Sequence, residues 1–311
     1  MFRTLLGAVL LSYPMYRLAA ALDQESFDDY RALVCVFLFG GNDNGNTLIP
    51  LSGGDQSYRD YAKARGNLAI PSRYLKPMAI KPDNAGGQTF ALHPALKGFH
   101  QRFKEGNAAV VANVGTLLQP TTLNDYRRGA AHVPQELFAH ERQAEQWQLS
   151  RPDARDGLGW GGRLADMLQA AATNKKSSVS MNISVAGGSQ FLSGQTVNPY
   201  VLGPDGTASF SEDEMSRRGK AQLRRAYMDM LAASEDPGHA NRHAMQDVVR
   251  DVTERAIVNG EMIEGMMNRR SRINAKVPEE HPLATQLHTV ARLIEHAESK
   301  LGHRQQVFFG S

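Results

Sequence analysis

The carboxylate of Asp43 is the side chain of this sequence that is best placed to do chemistry. Amide side chains surround it, at positions Asn42, Asn44 and Asn46. Upstream lie eight consecutive apolar residues, Ala32 to Phe39, and then the pair Gly40-Gly41. An apolar run of this length, rich in Val and Phe, predicts a strand that is buried on both faces. Ligands of open α/β sheets bind just beyond the carboxyl ends of strands, so Asp43 is suited to a cation or an anionic ligand.

The loop around Asp43 has three interpretations. Gly, Asn and Asp all favour turns, so the stretch could be a plain strand-to-loop turn. Gly40, Gly45 and Thr47 have the spacing of a phosphate-binding loop. However, Asn46 stands where such a loop carries the lysine that neutralises the phosphates. The third interpretation is that Asp43 is a carboxylate ligand of a metal ion.

Five motifs follow one another in an order that is known from one protein family. They are the Gly-Gly-Asn-Asp stretch within 32–50, Leu92–Leu96, Leu137–His140 with Gln146–Gln148, Gly159–Arg163, and Gln305–Ser311. In this order they resemble the domain of unknown function fifteen-oh-one family, a family of secreted, sulfatase-like bacterial proteins within the alkaline phosphatase superfamily. The resemblance covers nearly the whole chain. It implies an α/β fold, a three-layer αβα sandwich with a mostly parallel sheet.

The resemblance gives Asp43 a specific role. In the alkaline phosphatase superfamily, an aspartate after the first strand binds one of two catalytic metals, which neutralise ester oxygens and activate a nucleophile. Asp43 is therefore the implied ligand of a divalent metal, which would be zinc, calcium or manganese. Asn44 and Asn46 are the candidate substrate-binding residues. The implied substrate is a small-molecule ester or a sulfated or phosphorylated glycan, and a turn-capping role for Asp43 is the alternative.

The segment around His140 departs from the family pattern. The family carries a serine directly before this histidine, and the serine is the nucleophile position because the superfamily attacks with a hydroxyl or modified side chain. Here that position is Ala139, which has no nucleophilic atom. His140 is the candidate catalytic residue: it could polarise a phosphate or sulfate oxygen, or it could cap a helix.

The resemblance also implies metal ligands beyond Ser311. The family's Asp-Thr-His motif, and a later Glu and His, would complete a binuclear site, so we expect an incomplete domain with exposed apolar surface along its last helix and strand. The first functional hypothesis is therefore an exported, metal-dependent ester hydrolase that is inactive in this form. The alternative is a non-catalytic secreted binding or assembly protein on a hydrolase-like scaffold, because function depends on the site rather than on the fold.

Composition narrows the functional classes. The 311 residues carry a formal net charge of +3, from 35 basic and 32 acidic residues, so nothing indicates nucleic acid binding. The lone cysteine, Cys35, is expected to pack as a small apolar group. Thr4 to Ala21 is mostly apolar and ends in three alanines. This predicts a signal peptide over residues 1–22 and a periplasmic or secreted protein, with an ordinary helix as the alternative. Arg17 and Pro14 interrupt the run, so no stable membrane span is expected.

Hydrophobic periodicity predicts the elements of a single domain over residues 23–311. Strands are predicted at 32–39, at 108–114, at 179–185 and at 306–309, the third of them half-exposed because polar and apolar residues alternate. Helices are predicted at 94–105 and 159–172, and a helical insertion at about 212–282. An apolar stripe at helical spacing predicts a last helix that ends at Gly302, with the stripe formed by Leu287, Val290, Ala291, Ile294, Ala297 and Leu301. The stretch Gly53 to Gly87 is rich in turn-forming residues and predicts a long loop region with short strands.

The remaining histidines carry weaker signals. His239 and His243 lie four residues apart, a spacing that can bind zinc on a helix, but Ala240 stands where a zinc protease has its glutamate. We therefore interpret this pair as part of a solvated helix. The other histidines of the C-terminal helical region are expected at the surface, at positions His281, His288, His296 and His303.

Overall fold

The computed structural model describes residues 29–40, 42–53, 57–112, 114–171, 174, 177–203, 217–233, 244–275, 277–278 and 281–311. The chain is an α/β protein with a four-stranded parallel sheet and packed helices, as predicted. It divides into two compact units, and each is described by itself. The smaller unit is Leu38–Gly115, and the larger unit is Met1–Phe37 with Thr116–Ser311. The predicted signal peptide and the pair His239 and His243 lie outside the described residues.

The described strands and helices are named here in chain order. The strands are β1 Arg31–Val36, β2 Leu48–Ser52, β3 Ala79–Ile80, β4 Thr89–Leu92, β5 Asn182–Ser184, β6 Tyr200–Val201 and β7 Gln305–Gly310. The α-helices are α1 Tyr58–Arg65, α2 Ser72–Leu75, α3 Lys97–Lys104, α4 Leu123–Arg127, α5 His140–Leu149, α6 Trp160–Ala170, α7 Arg217–Ala233, α8 Ala244–Met267 and α9 Pro282–Glu295.

The sheet of the larger unit is built around β7. Its strand order is β1-β7-β5-β6, and all neighbours are parallel. Phe308 packs into a cluster with α8 and α9, whereas Val307 and Phe309 pack into a cluster with α6. Successive side chains of a strand point to opposite faces. Helices therefore cover both faces of β7, and every residue of this strand is buried.

The strand expected at 306–309 is confirmed by β7, but the exposed apolar surface expected along it is wrong. β7 pairs with β1 on one side and β5 on the other, which removes both of its edges from solvent. On α9, Val290 and Leu293 are buried in the core, and only Leu287 of the predicted apolar stripe is substantially exposed. The helix thus uses most of its apolar face in packing.

The first apolar run forms β1, but the prediction that it is buried on both faces is wrong. β1 is an edge strand of the sheet. Leu33 and Cys35 pack toward α6, whereas Val34 and Val36 are 37% and 40% exposed. Because the described helices cover only one face of this edge strand, the residues that point to its other face, Val34 and Val36, stay partly exposed. Burial raises the pKa of Cys35 to about 11, in keeping with its predicted role as a small apolar group.

Two other predicted strands also need correction. The apolar stretch at 108–114 forms no strand in its described part, and Val111 is 77% exposed. An apolar composition alone does not hold a strand, since the strand also needs backbone partners. The predicted half-exposed strand at 179–185 is β5, and it is wholly buried. Its polar residues are accommodated because Asn182 and Ser184 donate hydrogen bonds to nearby backbone carbonyls.

The helix predictions agree with the structure within a few residues at each end. The predicted helices at 94–105 and 159–172 are α3 and α6. The described part of the segment at 212–282 contains α7 and α8, whereas residues 268–275 and 277–278 are not helical. Ile263 and Met266 of α8 belong to the core of the larger unit, so this segment contributes to the interior as well. None of the described helices combines the length and apolar composition needed to cross a bilayer.

The smaller unit has its own sheet and core. The antiparallel order β2-β4-β3 is packed by α1, α2 and α3 around Ile49, Leu75 and Leu92. The loop region predicted over Gly53 to Gly87 is therefore partly wrong, since it contains α1 and α2. The start of α1 has a local signal, because Ser57 and Asp60 form a capping box that satisfies the first free N–H groups.

One of the four histidines expected at the surface is buried. His303 is fully buried between the end of α9 and β7, and its Nε2 lies 2.9 Å from the carbonyl oxygen of Val179. Its Nδ1 lies 2.9 Å from Nε2 of Gln306. Burial lowers the pKa of His303 and the hydrogen bond to Val179 opposes this only in part. The histidine therefore packs as a neutral hydrogen-bonding residue of the core.

Candidate functional site

Asp43 lies in the smaller unit, at the start of a single 3-10 turn over Asn44–Asn46. Its backbone carbonyl accepts hydrogen bonds from the N–H of Asn46 and from the hydroxyl of Thr47, each at 3.0 Å. The side chain of Asp43 is 48% exposed. The turn therefore fixes the backbone of this residue and presents its carboxylate at the surface.

The carboxylate of Asp43 already binds a cation of the same chain. Nη2 of Arg65, the last residue of α1, donates to Oδ2 of Asp43. The guanidinium also lies against Gly45, where a Cβ atom would stand only 3.1 Å from Nη1 of Arg65. A side chain at this position would therefore require the guanidinium to shift by a few tenths of an ångström.

The side chain of Asn46 is used within the protein. Its Nδ2 donates to Oδ2 of Asp43 and to the carbonyl oxygen of Leu68, both at 3.0 Å. Its Oδ1 accepts from the hydroxyl of Tyr61 at 2.6 Å. The buried Tyr61 in turn accepts from the N–H of Ile70 at 2.8 Å. Asn46 therefore holds the turn against α1, and its predicted role in substrate binding stays a prediction.

Asn44 is the exposed amide of the turn. Its side chain makes no hydrogen bond to any described residue, whereas Oδ1 of Asn42 accepts from the hydroxyl of Thr47 at 3.1 Å. Two side chains therefore have N–H groups that a ligand could use: Asn44 of this turn and the half-buried Arg65 of α1. Sequence reasoning proposed Asn44 but missed Arg65, because 22 positions separate Arg65 from Asp43 and no local pattern joins them.

The residues around Asp43, as arranged, do not fit the divalent metal that the sequence implies. Oδ2 of Asp43 accepts from both Arg65 and Asn46, and the amide oxygen of Asn46 accepts from Tyr61. A metal ion would have to displace the guanidinium to use this carboxylate. Within the described part of the chain, no group of three or more His, Cys, Asp or Glu residues is placed to hold a metal. The arrangement fits a guanidinium.

His140 and Ala139 lie in the larger unit, at the start of α5. Ala139 is the N-cap residue of this helix and His140 is its first residue, so His140 is not the cap. His140 is exposed and makes no hydrogen bond to a described residue. It lines an open cleft of about 490 Å3 with Glu136, Arg142 and Glu145, and Arg142 is ion-paired with both glutamates. Glu141 lines the cleft as well, so its lining carries three carboxylates against one guanidinium and is net negative.

The sequence-predicted site residues thus fall into two groups. Asp43, Asn44 and Asn46 share one turn of the smaller unit, and Ala139 and His140 share one helix start of the larger unit. Within the smaller unit, the structure adds Arg65 and Tyr61 to the group around Asp43.

The Gln-Trp-Gln and Gly-Trp-Gly-Gly-Arg motifs join α5, α6 and the loop before β6. Oε1 of Gln148 accepts from the N–H of Phe191 at 3.1 Å and from the hydroxyl of Ser189 at 3.0 Å. Glycine is required at Gly159 and Gly162, because a Cβ atom at either position would lie about 2 Å from a carbonyl oxygen of this loop. These motif residues have a packing role that sequence matching alone does not reveal.

Asp166 of α6 organises the same loop. Its carboxylate accepts hydrogen bonds from the backbone N–H groups of Gln195, Thr196 and Val197, at 2.7 to 2.9 Å, and from the hydroxyl of Thr196 at 2.7 Å. Burial acts to raise the pKa of Asp166, but these hydrogen bonds outweigh it and lower the pKa below 3.8. The ionised carboxylate of Asp166 therefore holds the loop at 195–197 against α6.

The chain matches no protein-family model, no curated protein and no solved structure. The contacts of the side chains therefore carry the functional argument.

Replacement of Ala139 by serine tests the start of α5. Ala139 has the extended backbone of an N-cap, with φ −81° and ψ 123°, but no side-chain oxygen for the free N–H groups of the helix. We expect Ala139→Ser to stabilise the protein by about 0.5–1 kcal/mol, measured by urea denaturation. Ala139→Val is the matched control and is expected to give no gain. Equal stability of the serine and valine variants would contradict this N-cap assignment.

Asp166 predicts a dependence of stability on pH. Because the folded pKa lies below the unfolded value, the unfolded chain binds more protons as the pH falls through about 4, and the stability from these hydrogen bonds is lost. Asp166→Asn is therefore expected to cost about 1–2 kcal/mol at pH 7 and less at pH 3, in urea denaturation at both pH values.

The matched control for Asp166 is Asp153→Asn, at an exposed position with no hydrogen bond to a described residue. A loss that is equally large at pH 3 and pH 7 would show that the charge of Asp166 is not what holds the loop.

Proposed function

We propose that this chain is an exported, sulfatase- or phosphatase-like protein that binds a phosphoric or sulfuric ester without hydrolysing it. The observation that carries the proposal is the ion pair between Arg65 and Asp43, which gives the implied metal ligand an arginine partner. The ester could belong to a small molecule or to a sulfated or phosphorylated glycan. Export to the periplasm or beyond rests on the sequence of residues 1–22.

The fold we propose in finer detail is the alkaline-phosphatase-like αβα sandwich. In its support, the sheet is parallel, and helices pack on both faces of β7. The order of the sequence motifs supports the same assignment. Fold and function are separate claims, so the function has to rest on the side chains at Asp43 and Ala139.

Two groups at Asp43 suit a tetrahedral anion. Arg65 presents a planar guanidinium that is 27% exposed, and guanidinium groups bind phosphate and sulfate oxygens with paired N–H donors. Asn44 adds an exposed amide donor in the adjacent turn. Asp43 would orient the arginine, and Tyr61 with Asn46 would hold the turn that carries Asn44.

We propose that the chain does not hydrolyse the ester because residue 139 is alanine. In the proposed family, the residue before His140 supplies the nucleophile, and alanine has no atom that can attack an ester. His140 is exposed and has no partner among the described residues, but the glutamates of its cleft disfavour an anion, so the proposed ester binding rests on Arg65 and Asn44. The chain would thus retain binding groups and lack the attacking group.

The second candidate is a metal-dependent ester hydrolase. It is favoured by the exposure of Asp43, whose Oδ1 accepts no hydrogen bond from a described residue. In this case Arg65 would block the metal until it moved away. The two candidates differ in what removal of the arginine does, because the binding protein needs Arg65 and the hydrolase does not.

The test compares Arg65→Gln with native protein, using 4-nitrophenyl phosphate and 4-nitrophenyl sulfate with zinc, manganese or calcium. The binding proposal predicts no metal-dependent turnover by either protein. It also predicts ester binding by calorimetry that is weakened about tenfold in Arg65→Gln, since a charged donor is lost. Lys63→Gln, an exposed change on the same helix, is the control and is expected to bind like native protein.

The hydrolase candidate predicts the opposite effect. Arg65→Gln would bind metal more tightly than native protein and gain turnover, and the further change Asp43→Asn would abolish that turnover. This result would overturn the binding proposal, as would native turnover that depends on added metal.

A further inference from the structure

The larger unit contains a cationic pocket outside the two candidate regions. It has a volume of about 510 Å3 and lies between the segment after α8 and the end of α9. The residues that line it and can contact a ligand are Arg269, Arg270, Arg272, His296, Ser299 and Lys300. Pockets that bind small organic ligands commonly enclose 300–1,000 Å3 by order of magnitude, about the volume found here.

The positive charge of this pocket is largely uncompensated. The side chains of Arg269, Arg270, Arg272 and Lys300 are exposed and form no ion pair with a described residue. Several free cations around one concavity raise the local concentration of anions.

The one carboxylate that lines the pocket is engaged in shaping it. Oε1 of Glu295 accepts from the backbone N–H of Arg272 at 2.8 Å, and Oε2 accepts from the hydroxyl of Ser271 at 2.9 Å. The hydrogen bond from the Arg272 N–H, with that from Ser271, lowers the pKa of Glu295. Glu295 thus fixes the segment that carries all three arginines of the pocket, and its carboxylate also pairs with Arg292 at 3.7 Å.

A buried arginine fixes the other side of the segment. Arg292 is 8% exposed, and its Nη2 donates to the carbonyl oxygens of Met266, Met267 and Arg269, at 3.0, 3.1 and 2.7 Å. A cation at the carboxyl end of a helix also interacts favourably with the helix dipole. Arg292 therefore caps the carboxyl end of α8 and holds the backbone of Arg269 in place. The segment that carries the exposed arginines is thus anchored at its start.

His296 lines the pocket and has a ring nitrogen without a partner among the described residues. Its Nε2 is inaccessible to solvent and has no hydrogen-bond partner in this part of the chain. A buried polar nitrogen without a partner costs free energy, so a small movement of the ring that brings Nε2 to a ligand oxygen would be favourable. Ser299 and Lys300 follow within a π-helical turn, Ala297–Leu301, a form that often occurs at functional sites.

We propose that this pocket binds the phosphate or sulfate group of a small organic ester. The arginines and Lys300 would contact the tetrahedral anion, His296 and Ser299 would hydrogen-bond its oxygens, and the remaining volume would accept the organic part. Arginine is suited to this role because its planar guanidinium donates two parallel hydrogen bonds to an oxyanion. The pocket is separate from the turn that carries Asp43 and Arg65, and it does not depend on the function proposed for that turn.

Calorimetry with two probes tests this site, at about 10 mM salt, where charges are screened only beyond about 30 Å. The probes are inorganic phosphate and glycerol 3-phosphate. Native protein is expected to bind both probes in this pocket. This binding is expected to persist in Arg65→Gln and to weaken about tenfold or more in Arg269→Gln/Arg272→Gln. The control is Arg155→Gln/Arg225→Gln, which removes two exposed arginines of the same unit and is expected to bind within about twofold of native protein.

The two probes distinguish the sources of the anion. Tighter binding of glycerol 3-phosphate supports an ester ligand whose organic part occupies the pocket. Equal binding of both probes would overturn the proposal of an ester ligand and would indicate a site for the free anion. No binding by native protein, or equal losses in the pocket variant and its control, would overturn the site itself. Loss of binding in Arg65→Gln but not in the pocket variant would assign the anion to the turn at Asp43. Lys300→Gln serves as a second variant if the double variant fails to fold.

Discussion

The burial of β7 is the constraint on which the larger unit depends. This strand pairs on both sides and packs on both faces, so each of its polar side chains needs a partner inside the protein. Oε1 of Gln306 accepts from the hydroxyl of Tyr30 at 2.5 Å, and its Nε2 lies 2.9 Å from Nδ1 of His303. Nδ2 of Asn174 donates to the carbonyl oxygen of Gln305 at 2.7 Å. Residues from distant parts of the chain thus complete one buried network around this strand.

The same constraint explains which parts of the fold could be predicted from the sequence. The spacing of apolar residues located α3, α6, α9 and β7, because such spacing depends only on nearby residues. Glycines at positive φ, Gly106 and Gly302, mark where two of the helical segments end. Burial could not be predicted in the same way. The apolar run of β1 lies at an edge and the polar residues of β5 lie in the core, because strand order and distant hydrogen bonds decide both.

Only part of the candidate site could likewise be predicted from the sequence. Asp43 and Asn46 belong to one short motif, so their proximity could be predicted. Arg65 and Tyr61 come from α1, in a stretch predicted as loop, and their contacts depend on the packing of this helix against β2. The charge of Arg65 changes the chemistry of the turn, because the carboxylate of Asp43 already has a cationic partner within the chain. The metal ion implied by the motif stays a prediction.

The most direct test of this account is a double-mutant cycle between Asp43 and Arg65. The stabilities of native protein, Asp43→Asn, Arg65→Gln and the double variant would be measured by urea denaturation. Because both side chains are partly exposed, the account predicts a favourable coupling energy of about 0.5–1 kcal/mol that decreases with added salt. A coupling of zero within error, at low as well as high salt, would show that the arginine does not hold the carboxylate. Asp43 would then be free to bind a metal, and the proposal of a non-hydrolytic binding protein would lose its main support.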